Sequence, residues 1–267
     1  MSEGDELTLD VCDLDDLRKA KARLEHPGLA ARMANALGGP IEAGFKLLPK
    51  NWNERVATVT EAALMRGLEF SIYTLGGREP RRPRYLLHKL VVVGSGTASG
   101  LIGLAALAVE LPFSTCIILR SIADIARAEG HDLSDMEVRL ECLEVLALGG
   151  RSRKDDAVES GYWMVRGALA KSVSEAASHL AEKGLTKEGA PALVRFIAII
   201  GSRFSTLVTE EAAAKAIPVV GALSGGTINY LFMDHFQEMA KGHFVVKRLE
   251  KKYGAALVEK TYKDLLL

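Results

Sequence analysis

LVVVGSGTASGLIGLAALAV, residues Leu90 to Val109, runs for twenty positions without a charged side chain. That is the length a helix needs to cross the roughly 30 Å hydrocarbon core of a bilayer. Five small residues, Gly94, Gly96, Ser99, Gly100 and Gly103, dilute its hydrophobicity. Gly96-x-x-x-Gly100 lets two helix backbones approach closely, in a membrane or in a tightly packed soluble hairpin alike. A buried core helix, a peripheral or conditional membrane contact, and a stable span all remain open for this run.

On every one of these readings the run is helical, and the rest of the chain agrees. Pro is scarce at eight residues, alternating Val, Thr and Tyr are hard to find, and Ala, Leu, Glu, Lys and Arg recur at spacings of three and four. The expected fold is all-α, a bundle of about eight helices with central Gly-rich helical hairpins. Working outward, Glu110 and Pro112 end the uncharged helix, and Pro112 suits the first turn of an amphipathic successor running to Gly130. Upstream, GGREPRRPR (Gly76 to Arg84) breaks the chain after a helix over about 53–75. A first helical region runs from Asp13 into the thirties, up to Gly38-Gly39-Pro40. Downstream, helices are expected over 134–148, 160–183, 189–217 and 222–253, with Gly149-Gly150, Pro218 and Gly254 as punctuation and a short tail helix after Gly254. The segment Gly221 to Gly226 repeats the small-x-x-x-small pattern, without a fixed repeat period.

Composition bounds the function. A chain of 267 residues that is 48% hydrophobic can fill a sizeable core, so disorder is excluded for most of it. Equal counts of 34 basic and 34 acidic residues argue against a nucleic-acid partner. Cys12, Cys116 and Cys142 are odd in number and widely spaced, which supports neither disulfides nor a thiolate metal site and suits a reducing compartment. Residues 1–16 carry seven acids and no base, the opposite of a signal peptide's start, so the remaining 251 residues carry a compensating plus seven. That charge concentrates at Arg78 to Lys89 and at Lys241 to Lys263. Residues 1–16 read as a mobile acidic tail and 17–267 as one helical domain. Walker A, HExxH and GxSxG sequences are absent, and GSGTASG opens no βαβ unit; no cofactor is expected.

Two polar clusters sit in apolar surroundings. Arg120, Asp124 and Arg127 stand at i, i+4 and i+7 on one helix face, and Glu110 is expected to reach them from the preceding helix. Either a structural ion-pair network or a ligand site would result, because a buried charge is costly unless paired. Asn229, Asp234, His235, Glu238 and His243 form the second cluster. His235 and Glu238 are three apart and could hold a metal, but a dinuclear carboxylate site wants two such pairs and only one is present; no metal is expected.

At these residues the sequence resembles a known family. GLAALAVELPFSTCIILRSIADIARAEGHDLSDMEVRLECLEVLALGG (Gly103 to Gly150) is similar to the central signature of the bacterial EcsC protein family. RFSTLVTEEAAAKAIPVVGALSGGTINYLFMDHFQEMAKGHFVVKRLEKKYG (Arg203 to Gly254) is similar to its C-terminal signature. The resemblance covers roughly residues 45–256 and maps family features onto Glu110, Pro112, Arg120, Asp124, Gly130, Pro218, Gly221, Gly226, Asn229 and His235. It implies a bacterial, mostly helical protein, named for a gene beside those of an ABC transporter linked to secretion, and it supplies no reaction.

The leading expectation is a non-enzymatic accessory protein, cytoplasmic and peripheral to the inner membrane. It binds an anionic membrane surface, a lipid or a membrane transporter partner, with Arg78, Arg81, Arg82, Arg84 and Lys89 as membrane contacts. The alternatives are an enzyme with a hydrolase-type acid/base site between the two signatures, using Glu110 or His235 with Arg120 or Arg127, and a metal-binding helical bundle.

Overall fold

Helical spacing of apolar side chains is realised along nearly the whole described chain in a computed structural model. The structure describes residues 9–25, 28–75, 85–100, 107–149, 161–184, 191–217 and 221–266, with side chains except at 85, 94–100, 107–109 and 221–225. The helices are α1 (Val11–Leu24), α2 (Leu29–Leu37), α3 (Glu42–Phe45), α4 (Trp52–Thr74), α5 (Tyr85–Gly100), α6 (Leu107–Ala128), α7 (Met136–Glu144), α8 (Gly161–Lys183), α9 (Pro191–Ala216), α10 (Gly221–Tyr253) and α11 (Ala255–Asp264). A 3₁₀ turn at Val145–Ala147 prolongs α7. No strand occurs among the described residues, and the all-α expectation holds.

Helix α10 is the axis of the bundle, 33 residues long and so about 50 Å at 1.5 Å per residue. Helices α1, α2, α5, α6, α9 and α11 all pack on it. Its inward stripe contributes Phe232, Phe236, Phe244 and Leu249 to the core. Phe204 of α9 meets Phe232 and Phe236 with ring centroids 6.2 and 5.7 Å away. Among the described residues, only α9 is long and apolar enough to cross a membrane, and 39% of its most apolar window is buried.

Three expectations are corrected. The first helical region is two helices, α1 ending at Leu24 and α2 beginning at Leu29. The uncharged run is shared between two helices, α5 reaching Gly100 and α6 already present at Leu107. Pro112 lies inside α6, so Glu110 belongs to the same helix as Arg120, Asp124 and Arg127. With α3 and α11 counted, eleven helices are described where about eight were expected.

Residues 9–16 belong to the body. Asp13 accepts hydrogen bonds from Lys252 at 2.6 Å and the Tyr253 hydroxyl at 2.7 Å, Asp16 accepts from Arg248 at 2.7 Å, and Leu17 is fully buried. One turn further, Lys21 Nζ donates to the carbonyls of Tyr262 and Leu265 at 2.9 and 2.7 Å, so α1 grips the end of α11.

Helix α3 is seated through Gly44. A Cβ there would lie 1.9 Å from the Ala213 carbonyl oxygen of α9, so only glycine permits this approach.

Candidate functional site

Four helices meet in one buried polar junction. Asn229 of α10 is 1% exposed; its Nδ2 donates to the Val92 carbonyl of α5 at 3.0 Å and to Glu110 Oε1 of α6 at 3.0 Å. Lys215 of α9 reaches Glu110 at 3.2 Å and Glu211, one turn earlier on α9, at 2.8 Å. Both partners of the Asn229 amide nitrogen are oxygens, which fixes the amide's orientation. Its Oδ1 has no hydrogen-bond partner among the described residues.

Two carboxylates therefore share one ammonium, Glu211 buried and the other two groups half-buried. Burial works to discharge Lys215, but Glu211 and Glu110 together outweigh it and raise its pKa. Burial dominates at Glu211 and pushes its carboxyl up, against the pull of Lys215. The junction joins the two glycine-rich segments of the sequence at their bases.

Arg120, Asp124 and Arg127 do cluster, without Glu110. Arg127 bonds Asp124 at 3.0 Å, Arg120 approaches it at 3.9 Å, and His88 of α5 lies 3.9 Å from its other oxygen. Arg127 also donates to the Leu75 carbonyl at 2.6 Å, satisfying an open carbonyl at the end of α4. Glu110 and Arg120 are ten residues apart on one helix, about 15 Å along its axis, which is why they do not meet.

His235 also stays apart from the junction. It is six residues beyond Asn229 on α10, about 9 Å down the axis, and its ring lies against Gly149. That glycine has φ +72°, and a Cβ on it would sit 2.4 Å from His235 Cε1 and 2.7 Å from Nε2. Burial lowers the His235 pKa to about 4, opposed by the Leu148 backbone, so the ring is neutral packing. Glu238 turns to Arg23 of α1 at 3.1 Å and Lys241 at 2.5 Å. The His235–Glu238 metal pair is thus split between different neighbours. No group of three His, Cys, Asp or Glu side chains able to hold a metal occurs among the described residues.

Helix α5 is inverted relative to a soluble amphipathic helix. Its polar side chains face inward: His88 toward Asp124, and Lys89 onto Asp234, which Arg32 of α2 also holds. Lys89 additionally lies 4.4 Å from the Tyr230 ring centre. Of its described apolar side chains four face outward, with Leu86 75%, Leu87 48%, Leu90 67% and Val91 41% exposed, while Val92 is buried in the core. Lys89 is therefore an internal ion-pair partner; Arg78, Arg81, Arg82 and Arg84 lie outside the described residues.

Reading the sequence missed Glu211 and Lys215. Their signal was present: a Glu-to-Lys pair at i, i+4 inside the apolar stretch Leu207 to Ala216. It also missed a second buried network, in which Arg166 makes two bonds to Glu250 at 2.7 and 2.9 Å. The Tyr162 hydroxyl is hydrogen-bonded to His243 Nδ1 at 3.2 Å beside it. Glu144 lies within this network's field, and burial pushes its carboxyl up to about 8, against Arg166.

Fold and junction define a class of all-helical bundle in which four helices share a polar junction of ion pairs and an amide. The chain belongs to the EcsC protein family, whose model matches residues 13–249. The match begins inside α1, earlier than the resemblance at about residue 45. No curated protein and no solved structure matches the chain.

Proposed function

We propose that this protein is a non-enzymatic accessory protein that binds the anionic cytoplasmic surface of a bacterial membrane, beside a membrane transporter. The observation that carries this reading is the inversion of α5. A helix segment that turns its lysine and histidine into internal pairs and Leu86, Leu87, Leu90 and Val91 outward is matched to a surrounding less polar than water. Burying one such leucine is worth about 1.5–3 kcal/mol, enough to favour lipid contact when several act together. The basic sequence Arg78 to Arg84, immediately before α5, suits anionic headgroups at about 1 kcal/mol per residue.

Flotation with phosphatidylglycerol-containing vesicles tests the proposal. Wild-type protein is expected to float with them, less so at high salt. Leu86→Ser with Leu90→Ser, and separately Arg81, Arg82 and Arg84→Ala, are expected to weaken binding at least tenfold each. Equal binding to neutral vesicles, unaltered by both sets, would refute it.

A further inference from the structure

The turn between α3 and α4 presents a second apolar tip. Phe45 is 40% and Leu47 53% exposed, although both sit in a segment whose backbone is tied down. Phe45 N–H donates to the Ile41 carbonyl, Leu47 N–H to Gly44 at 3.0 Å, Leu48 N–H to Phe45 and Trp52 N–H to Pro49 at 2.9 Å. The turn is anchored at both ends: Gly44 is pressed on Ala213, and the Trp52 indole N–H donates to the Thr209 hydroxyl at 3.0 Å. Two large apolar side chains held outward on a rigid, internally bonded turn are not a product of loose packing. Because the N–H groups of Phe45, Leu47 and Leu48 at the tip are already partnered, the tip can enter a region poor in water without stranding them.

The charges around the tip select the partner. Lys46 and Lys50 flank Leu47, both exposed, and neither has an ionic partner among the described residues. Glu42 is the acid one turn before Lys46, so the turn from 42 to 50 carries a net single positive charge. Apolar residues interleaved with free lysines fit an anionic lipid interface, with leucine and phenylalanine among the acyl chains and ammonium groups at the phosphates.

Ala213, on which Gly44 sits, lies two residues from both Glu211 and Lys215, the α9 residues of the four-helix junction. Gly44 therefore meets α9 at the axial level of Glu211 and Lys215 but on the opposite side of that helix. We infer that the α3–α4 turn, through Phe45, Leu47, Lys46 and Lys50, is a membrane-insertion loop that docks on anionic lipid together with the outward face of α5. This rests on the proposed membrane function and adds a contact that function does not require.

The test uses the full chain with vesicles of phosphatidylglycerol and phosphatidylcholine in equal parts. Lys46→Ala with Lys50→Ala should bind about thirtyfold more weakly, from ~1 kcal/mol per lysine at tenfold per ~1.4 kcal/mol. Leu47→Trp should gain a fluorescence component quenched by lipids brominated near the glycerol end of the chain, beyond any quenching of the native Trp52 and Trp163. If wild-type protein binds while the double variant binds as tightly, or Leu47→Trp adds no quenching, the inference fails and the α5 reading stands. If wild-type protein does not bind, both fall.

Discussion

Lys215 is the residue on which the junction turns, and Lys215→Met is the sharpest perturbation of it. Methionine keeps the length and apolar bulk of the lysine stem while deleting the charge that Glu110 and Glu211 share at 3.2 and 2.8 Å. Removing one partner of a buried pair costs about 3–5 kcal/mol, because the remaining charge is left uncompensated. Glu211 would lose its ammonium inside the fold while Glu110 keeps the Asn229 amide, so the lower part of that range is expected, against a total stability of about 5–15 kcal/mol for a domain. Urea unfolding followed by helical circular dichroism measures it, as a lower midpoint at unchanged slope.

The loss also depends on pH. Without the ammonium, the Glu211 pKa rises further in the folded state, which then holds more protons than the unfolded chain above 4.5, the ordinary glutamate value. Stability of the variant therefore rises as pH falls from neutral toward that value. Glu110→Gln and Glu211→Gln added to Lys215→Met should recover most of the loss at neutral pH. A cost below about 1 kcal/mol, the range of an exposed pair, or a pH profile parallel to wild type would refute the buried, shared-ammonium description.

Gly149→Ala should cost about 2–5 kcal/mol in the same urea experiment, combining left-handed backbone strain with collision against His235. Gly130→Ala, with φ +83° and open space around it, should cost only about 1–2 kcal/mol; equal costs would show that His235 does not press on Gly149. Glu144→Gln should remove stability changes between 4.5 and about 8, because the folded state keeps a proton on Glu144 through that interval and wild type is destabilised as pH rises across it. A difference between variant and wild type that is flat with pH would contradict this.

Most of the helices were legible because their signals are local. Spacings of three and four mark the faces of α4, α8, α9 and α10, and Gly149 and Gly254 end helices where their positive φ requires. Pro112 was misread because a proline's position relative to the helix start cannot be seen when apolar residues precede it. The two-helix division of the uncharged run and the partner of Glu110 are tertiary facts. Asn229 and Lys215 lie more than a hundred residues from Glu110, and no local pattern connects them. The outward face of α5 was equally hidden: His88 and Lys89 read as a solvent-facing side until their partners Asp124 and Asp234, held on other helices, turn that side in.

The grip of Lys21 on Tyr262 and Leu265 joins elements separated by more than two hundred and forty residues. Neither α1 nor α11 can peel from α10 without surrendering the other's anchor, so the two should open as one cooperative unit. In native-state hydrogen exchange their amides would share a single opening free energy, well above that of independently fraying ends. Force applied to residues 9 and 266 would load this clasp before anything else, and the bundle should resist until it parts.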